Sequence, residues 1–64
     1  YREVYSAVLA LPEKYRAVLH LYYYEGYATG EIAAILGRSP NTVRSQLARG
    51  RALLHDAWKG AEEL

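Results

Sequence analysis

Arg38, Arg44, Arg49 and Arg51 fall in a stretch, residues 38–51, that holds no acid at all. A guanidinium fork matches two kinds of partner well: phosphate oxygens, and the O6/N7 edge of guanine. Asn41 and Ser45 lie among these arginines, and both can donate to or accept from a base edge. This is the chemistry of recognition. The remaining charges follow another pattern, with Arg2, Lys14 and Arg16 set against Glu3, Glu13, Glu25 and Glu31, and an acidic end where Asp56, Glu62 and Glu63 outnumber Lys59. The net charge of +1 therefore hides a local basic cluster. Exposed arginines on a helix are often only solubilising, but a solvated face usually mixes both signs, and this one does not.

Catalysis finds no such support. There is no cysteine, so thiolate chemistry and disulfides are excluded. His20 and His55 are far apart in sequence and lack a third ligand at a metal-binding spacing. No paired carboxylates fall on one buried face, and no histidine stands beside Ser6, Ser39 or Ser45. The expectation is a protein that is not an enzyme, with no cofactor, no metal and no small-molecule substrate.

The basic cluster needs an element to position it, and residues 29–47 supply one. They read as a helix, a stop, a cap and a second helix. Gly37 can take the positive φ that ends the first helix. Ser39 can cap the second, and Pro40 suits its first position, where no N–H is needed. With only Gly37-Arg38-Ser39 between them, the two helices must cross steeply. That is helix-turn-helix geometry, whose second helix can enter the major groove of duplex DNA.

Periodicity predicts an all-α fold, a small four-helix domain over residues 1–64 with the helix-turn-helix at about 29–58. Helix one runs from Arg2 to Ala10 and buries Val4, Val8 and Leu11. Pro12 starts helix two, which buries Tyr15, Val18, Leu19 and Tyr22 and ends at Glu25-Gly26. Within Tyr22-Tyr23-Tyr24, Tyr22 belongs to the core, Tyr23 to its margin and Tyr24 to the outside. Helix three turns Ile32, Ile35 and Leu36 inward, with Ala33 and Ala34 allowing close approach. Helix four starts at Pro40 and reaches Trp58, placing Val43, Leu47, Gly50, Leu54 and Trp58 on one stripe. Gly50 reads as a close-packing site. The tail from Gly60 to Leu64 is expected to fray.

The opposite face of helix four carries Asn41, Arg44, Ser45, Ala48 and Arg49, the candidates for reading bases. Arg44 suits guanine, Asn41 suits adenine, and Ala48 suits a thymine methyl. Arg38 and Arg51, with the hydroxyls of Thr29, Ser39 and Thr42 near the two helix starts, are the candidates for phosphate contact. Leu9, Leu21 and Tyr24 fall off the buried stripes and form a candidate docking patch rimmed by Glu3, Glu13 and Arg16. A chain of 64 residues without an initiating methionine reads as a piece of a longer polypeptide. No apolar run is long enough to cross a membrane and no secretory signal is visible, so a cytoplasmic location without membrane contact is expected.

The run Glu31-Ile32-Ala33…Leu36-Gly37…Ser39…Thr42-Val43…Leu47 alone also fits LuxR-type response-regulator output domains. The wider context separates the two. Leu11-Pro12-x-x-x-Arg16-x-Val18-Leu19-x-Leu21-x-Tyr23-x-Glu25-Gly26 precedes it, and Arg49-x-Arg51-x-x-Leu54 follows. Together these resemble the C-terminal region-four domain of bacterial RNA polymerase sigma factors, of the extracytoplasmic-function type. The resemblance implies binding to the minus-thirty-five promoter element and docking on the β-flap of the polymerase core, with an anti-sigma factor as a further partner. Its DNA-reading positions fall on Arg44, Ser45, Ala48 and Arg49. The chain departs from the family where glycine is common at Asn41, arginine at Gln46, serine at Ala28 and a basic residue at Tyr22. At Ala28 the loss of the serine cap leaves Thr29 as the nearby substitute, with helix three starting one residue later. The other readings are the LuxR-type domain and a protein-interaction module that keeps the fold without DNA contact.

Overall fold

The computed structural model describes residues 2–63, and side chains for residues 6–56. Among the described residues there are four α-helices: α1 (Arg2–Ala10), α2 (Glu13–Leu19), α3 (Thr29–Leu36) and α4 (Pro40–Glu63). A π-helical turn, His20–Tyr24, continues α2 directly. The long α4 is the spine, with α1, α2 and α3 all packed on it.

The joints explain the path of the chain. After α1, the Leu11 N–H bonds back to the Val8 carbonyl at 3.1 Å, and the Arg16 guanidinium donates to the Leu9 carbonyl at 3.2 Å. A cation thus satisfies a free carbonyl at a helix C-terminus, where it also suits the dipole. Pro12 sits just outside α2 as its cap residue, in an extended conformation. The π turn closes with the Glu25 N–H on the His20 carbonyl at 3.2 Å and the Tyr27 N–H on the Leu21 carbonyl at 3.0 Å. Gly26, at φ +76°, takes the left-handed conformation that this wide exit requires.

Helix α3 begins without a hydroxyl cap. Ala28 holds the cap position, and its N–H is bonded by the Glu31 carboxylate at 2.9 Å. This is the half of a capping box that alanine allows. The expectation that helix three starts later, behind a Thr29 cap, is therefore corrected: Thr29 is its first residue. The α3–α4 turn follows the sequence reading closely. Gly37 is left-handed at φ 68°, and the Arg38 N–H reaches back to the Ala33 carbonyl at 2.9 Å. Ser39 Oγ accepts the Thr42 N–H at 3.1 Å and donates to Thr42 Oγ1 at 2.8 Å, and Pro40 opens α4.

Leu11, Val18, Leu19, Ile32, Ala33, Val43 and Leu47 form the buried cluster, with Tyr15, Leu21, Tyr22, Leu36, Leu53 and Leu54 packed around it. Val8 is buried as well. Gly50 confirms its close-packing role: a Cβ there would lie 3.2 Å from Leu19 Cδ1 and 3.3 Å from Tyr15 Cβ. Corrections concern α3 and α4. Ile35, expected inward, is 53% exposed, and Ala34 is exposed too. Ile32, Ala33 and Leu36 cover one side of α3, and at about 100° per residue Ile35 falls well round from their centre. Helix α4 runs past Trp58 to Glu63, so residues 60–63 are helical where fraying was expected. The side chains of Val4 and Trp58, and all of Leu64, lie outside the described residues.

Candidate nucleic-acid interface

Asn41, Arg44, Ser45, Ala48 and Arg49 are all exposed on α4, opposite the buried Val43, Leu47 and Gly50. The alternation follows from packing α1, α2 and α3 against one side of α4. The base-reading candidates thus share one solvent-facing strip, starting at the helix N-terminus. Arg44 donates to Asn41 Oδ1 across one turn, so the first two candidates form a linked pair. Among the residues whose side chains are described, no arginine forms an ion pair; His20 Nε2 lies 3.4 Å from Glu25 Oε1.

The phosphate candidates divide. Ser39 and Thr42 are exposed at the start of α4 and already bonded to each other. Thr29 is half-buried at the start of α3. Arg38 and Arg51 are each held from α2 or its continuation. The Arg38 guanidinium donates to Gln46 Oε1 at 2.8 Å and to the Lys14 carbonyl at 3.2 Å. Arg51 Nε donates to Tyr23 Oη at 2.5 Å, and its guanidinium carbon lies 5.4 Å from the Tyr22 ring centre and 5.6 Å from that of Tyr23. A guanidinium has five N–H donors, so both arginines keep donors for an external anion.

Gln46 and Tyr23 are the residues that the sequence reading missed here. An arginine at position 46, as the family resemblance would have it, could not accept from Arg38. Glutamine can. Tyr23 lies 28 residues from Arg51, and no local spacing announces such a pair.

The docking candidates come together on the other side of the molecule. Leu9, Leu21 and Tyr24 line a groove of about 460 Å³ with Val8, Ala17, Ile35 and Leu36, edged by Glu13, Arg16 and His20. Leu9, Tyr24 and Ile35 are exposed at 49%, 55% and 53%. Leu21 is only partly so, because it also packs on the core. The exposed Ile35 that the fold would otherwise leave unexplained belongs to this groove.

The geometry defines a helix-turn-helix domain whose second helix carries an exposed arginine-rich strip. The family described as Sigma-70, region 4, matches residues 1–54. Over 55 residues, 86% of this chain, the sequence is 38% identical to the probable RNA polymerase sigma factor RfaY of Xanthomonas campestris pv. campestris. The chain covers 14% of that relative's length. The chain belongs to the sigma-70 region 4 family of DNA-binding regulatory modules.

Proposed function

We propose that this domain recognises the minus-thirty-five promoter element in duplex DNA for a sigma factor, and so directs transcription initiation by bacterial RNA polymerase in the cytoplasm. It does so without catalysis, cofactor or metal. The observation that carries this reading is the exposed strip Asn41, Arg44, Ser45, Ala48 and Arg49 on α4, within a stretch free of acids. The strip enters the major groove at its N-terminal end and meets base edges. Arg38, Arg51, Thr29, Ser39 and Thr42 meet the backbone on either side.

The test is a titration of duplex DNA against salt. About three to five phosphate contacts at ~0.9 each give an expected slope of log K against log salt between about −2.7 and −4.5. A slope near zero, or no binding at low salt, overturns the reading. Affinity of this domain by itself is expected to be modest, because avidity with a linked polypeptide and with the polymerase is lost.

The groove lined by Leu9, Leu21, Tyr24 and Ile35 is the proposed docking surface for the polymerase β-flap, or for an anti-sigma factor that competes with it. Leu21 also packs on the core, so the clean variants are Leu9→Asp and Ile35→Asp, both at half-exposed positions. The double variant is expected to keep its helical circular dichroism and its DNA binding while losing flap binding by tenfold or more, that is, by at least about 1.4 kcal/mol. Unchanged flap binding would move docking to another face.

A further inference from the structure

Arg51 is held in a way that no other arginine with a described side chain shares. Its Nε–H bonds the Tyr23 hydroxyl at 2.5 Å, and its planar head lies over the rings of Tyr22 and Tyr23. Those rings brace each other edge to face, 5.0 Å apart at 78°. In a regular α-helix adjacent side chains point about 100° apart. Tyr22 and Tyr23 lie in the π-helical turn His20–Tyr24, whose wider winding narrows the angle between neighbouring residues to roughly 80°, and both rings reach the guanidinium from adjacent positions. A π turn is rare, and it is frequent at functional sites.

We infer that Tyr23, supported by Tyr22, is a positioning residue that holds Arg51 ready for a DNA phosphate. Arg51 is exposed, as is Tyr23 at 54%, so the contact is not part of the buried core. On α4 Arg51 follows Arg44 by seven residues, about 20° round the helix and roughly 10.5 Å further along it. It therefore flanks the base-reading strip on the side of Arg44, about two turns further along α4. Engaging Nε leaves the two terminal amino groups of the fork for an external anion, and that edge can take two phosphate oxygens together. A free arginine loses much rotamer freedom when it makes such a contact. Here the ring stack and the hydroxyl have already removed it.

This inference rests on the DNA-binding reading, and a double-mutant cycle separates the two. The 64-residue chain and its Tyr23→Phe, Arg51→Ala and doubly substituted forms are titrated with a short mixed-sequence duplex across a salt series. Tyr23→Phe removes only the hydroxyl at an exposed site, and circular dichroism confirms the fold. Arg51→Ala is expected to weaken binding to every sequence and to flatten the salt slope by about one. Tyr23→Phe is expected to weaken binding about threefold with the slope unchanged, since the phosphate contact persists but must be ordered on binding. In the Arg51→Ala background Tyr23→Phe is expected to change nothing. A merely structural tyrosine would act equally in both backgrounds, and that result, or no effect in the parent chain, overturns the positioning role alone. If the parent chain binds no duplex, the DNA-binding reading falls and this role with it.

Discussion

Ile32→Ala is expected to remove about 2–5 kcal/mol of folding stability. Ile32 has no exposed surface and lies in the buried cluster with Val18, Leu19, Val43 and Leu47. It joins the first helix of the helix-turn-helix to both neighbours, so truncation leaves a cavity between α2, α3 and α4. A chain of 64 residues at roughly 0.05–0.15 kcal/mol per residue has only about 3–10 kcal/mol to lose. The variant is expected to melt some tens of degrees lower or to be unfolded at room temperature, since ~1 kcal/mol moves a domain of this size by about 4–8 °C. Ile35→Ala is the control. The same substitution three residues on, at a half-exposed site, is expected to cost less than about 1 kcal/mol. Thermal and urea denaturation by circular dichroism distinguish the two, and equal costs would mean that α3 is rotated on its axis.

That contrast within α3 shows where the sequence was legible. Gly37, Ser39 and Pro40 act through their own backbone needs: a positive φ, an N–H acceptor and a missing N–H. Each could be read from residue type alone. The stripe Val43, Leu47 and Gly50 was legible because α4 is long enough for its period to repeat. In α3, only eight residues long, three isoleucine or leucine side chains compete for one narrow contact, and the wheel does not by itself say which one is left out. Ile35 is left out because Ile32, Ala33 and Leu36 already fill the space against α2 and α4.

The π turn was hidden for a different reason. Tyr22-Tyr23-Tyr24 has no glycine or proline to mark a change of winding, and the seven residues of α2 before it run as an ordinary helix. The partner of Tyr22 and Tyr23 is distant in sequence, since both lie against Arg51, while Tyr24 stacks on His20 with ring centres 5.4 Å apart. The exposed strip on α4 could be seen in the sequence as a set of residue types on one face. How its flanking arginines are held could not, because Arg38 and Arg51 depend on groups of α2 and its continuation.

Arg44→Ala is expected to cost about 1–3 kcal/mol on the preferred duplex, a loss of roughly five- to 150-fold, and to flatten discrimination at one or two base pairs. Arg44 is exposed near the N-terminal end of α4, where a recognition helix meets base edges most directly. In the free protein it donates to Asn41 Oδ1, so the two act as a unit. An Asn41→Ala, Arg44→Ala double variant is accordingly expected to lose less than the sum of the single losses. The linkage also bears on the departure at position 41. With glycine there Arg44 would swing freely, whereas Asn41 fixes its reach and adds an amide able to pair with adenine. Binding measured over a panel of duplexes with single base-pair changes checks this. Arg44→Ala should compress the spread of affinities, while Arg51→Ala lowers all of them together. An exchange of those two profiles would mean that the base-reading strip begins later along α4, with Arg51 on the bases and Arg44 on the backbone.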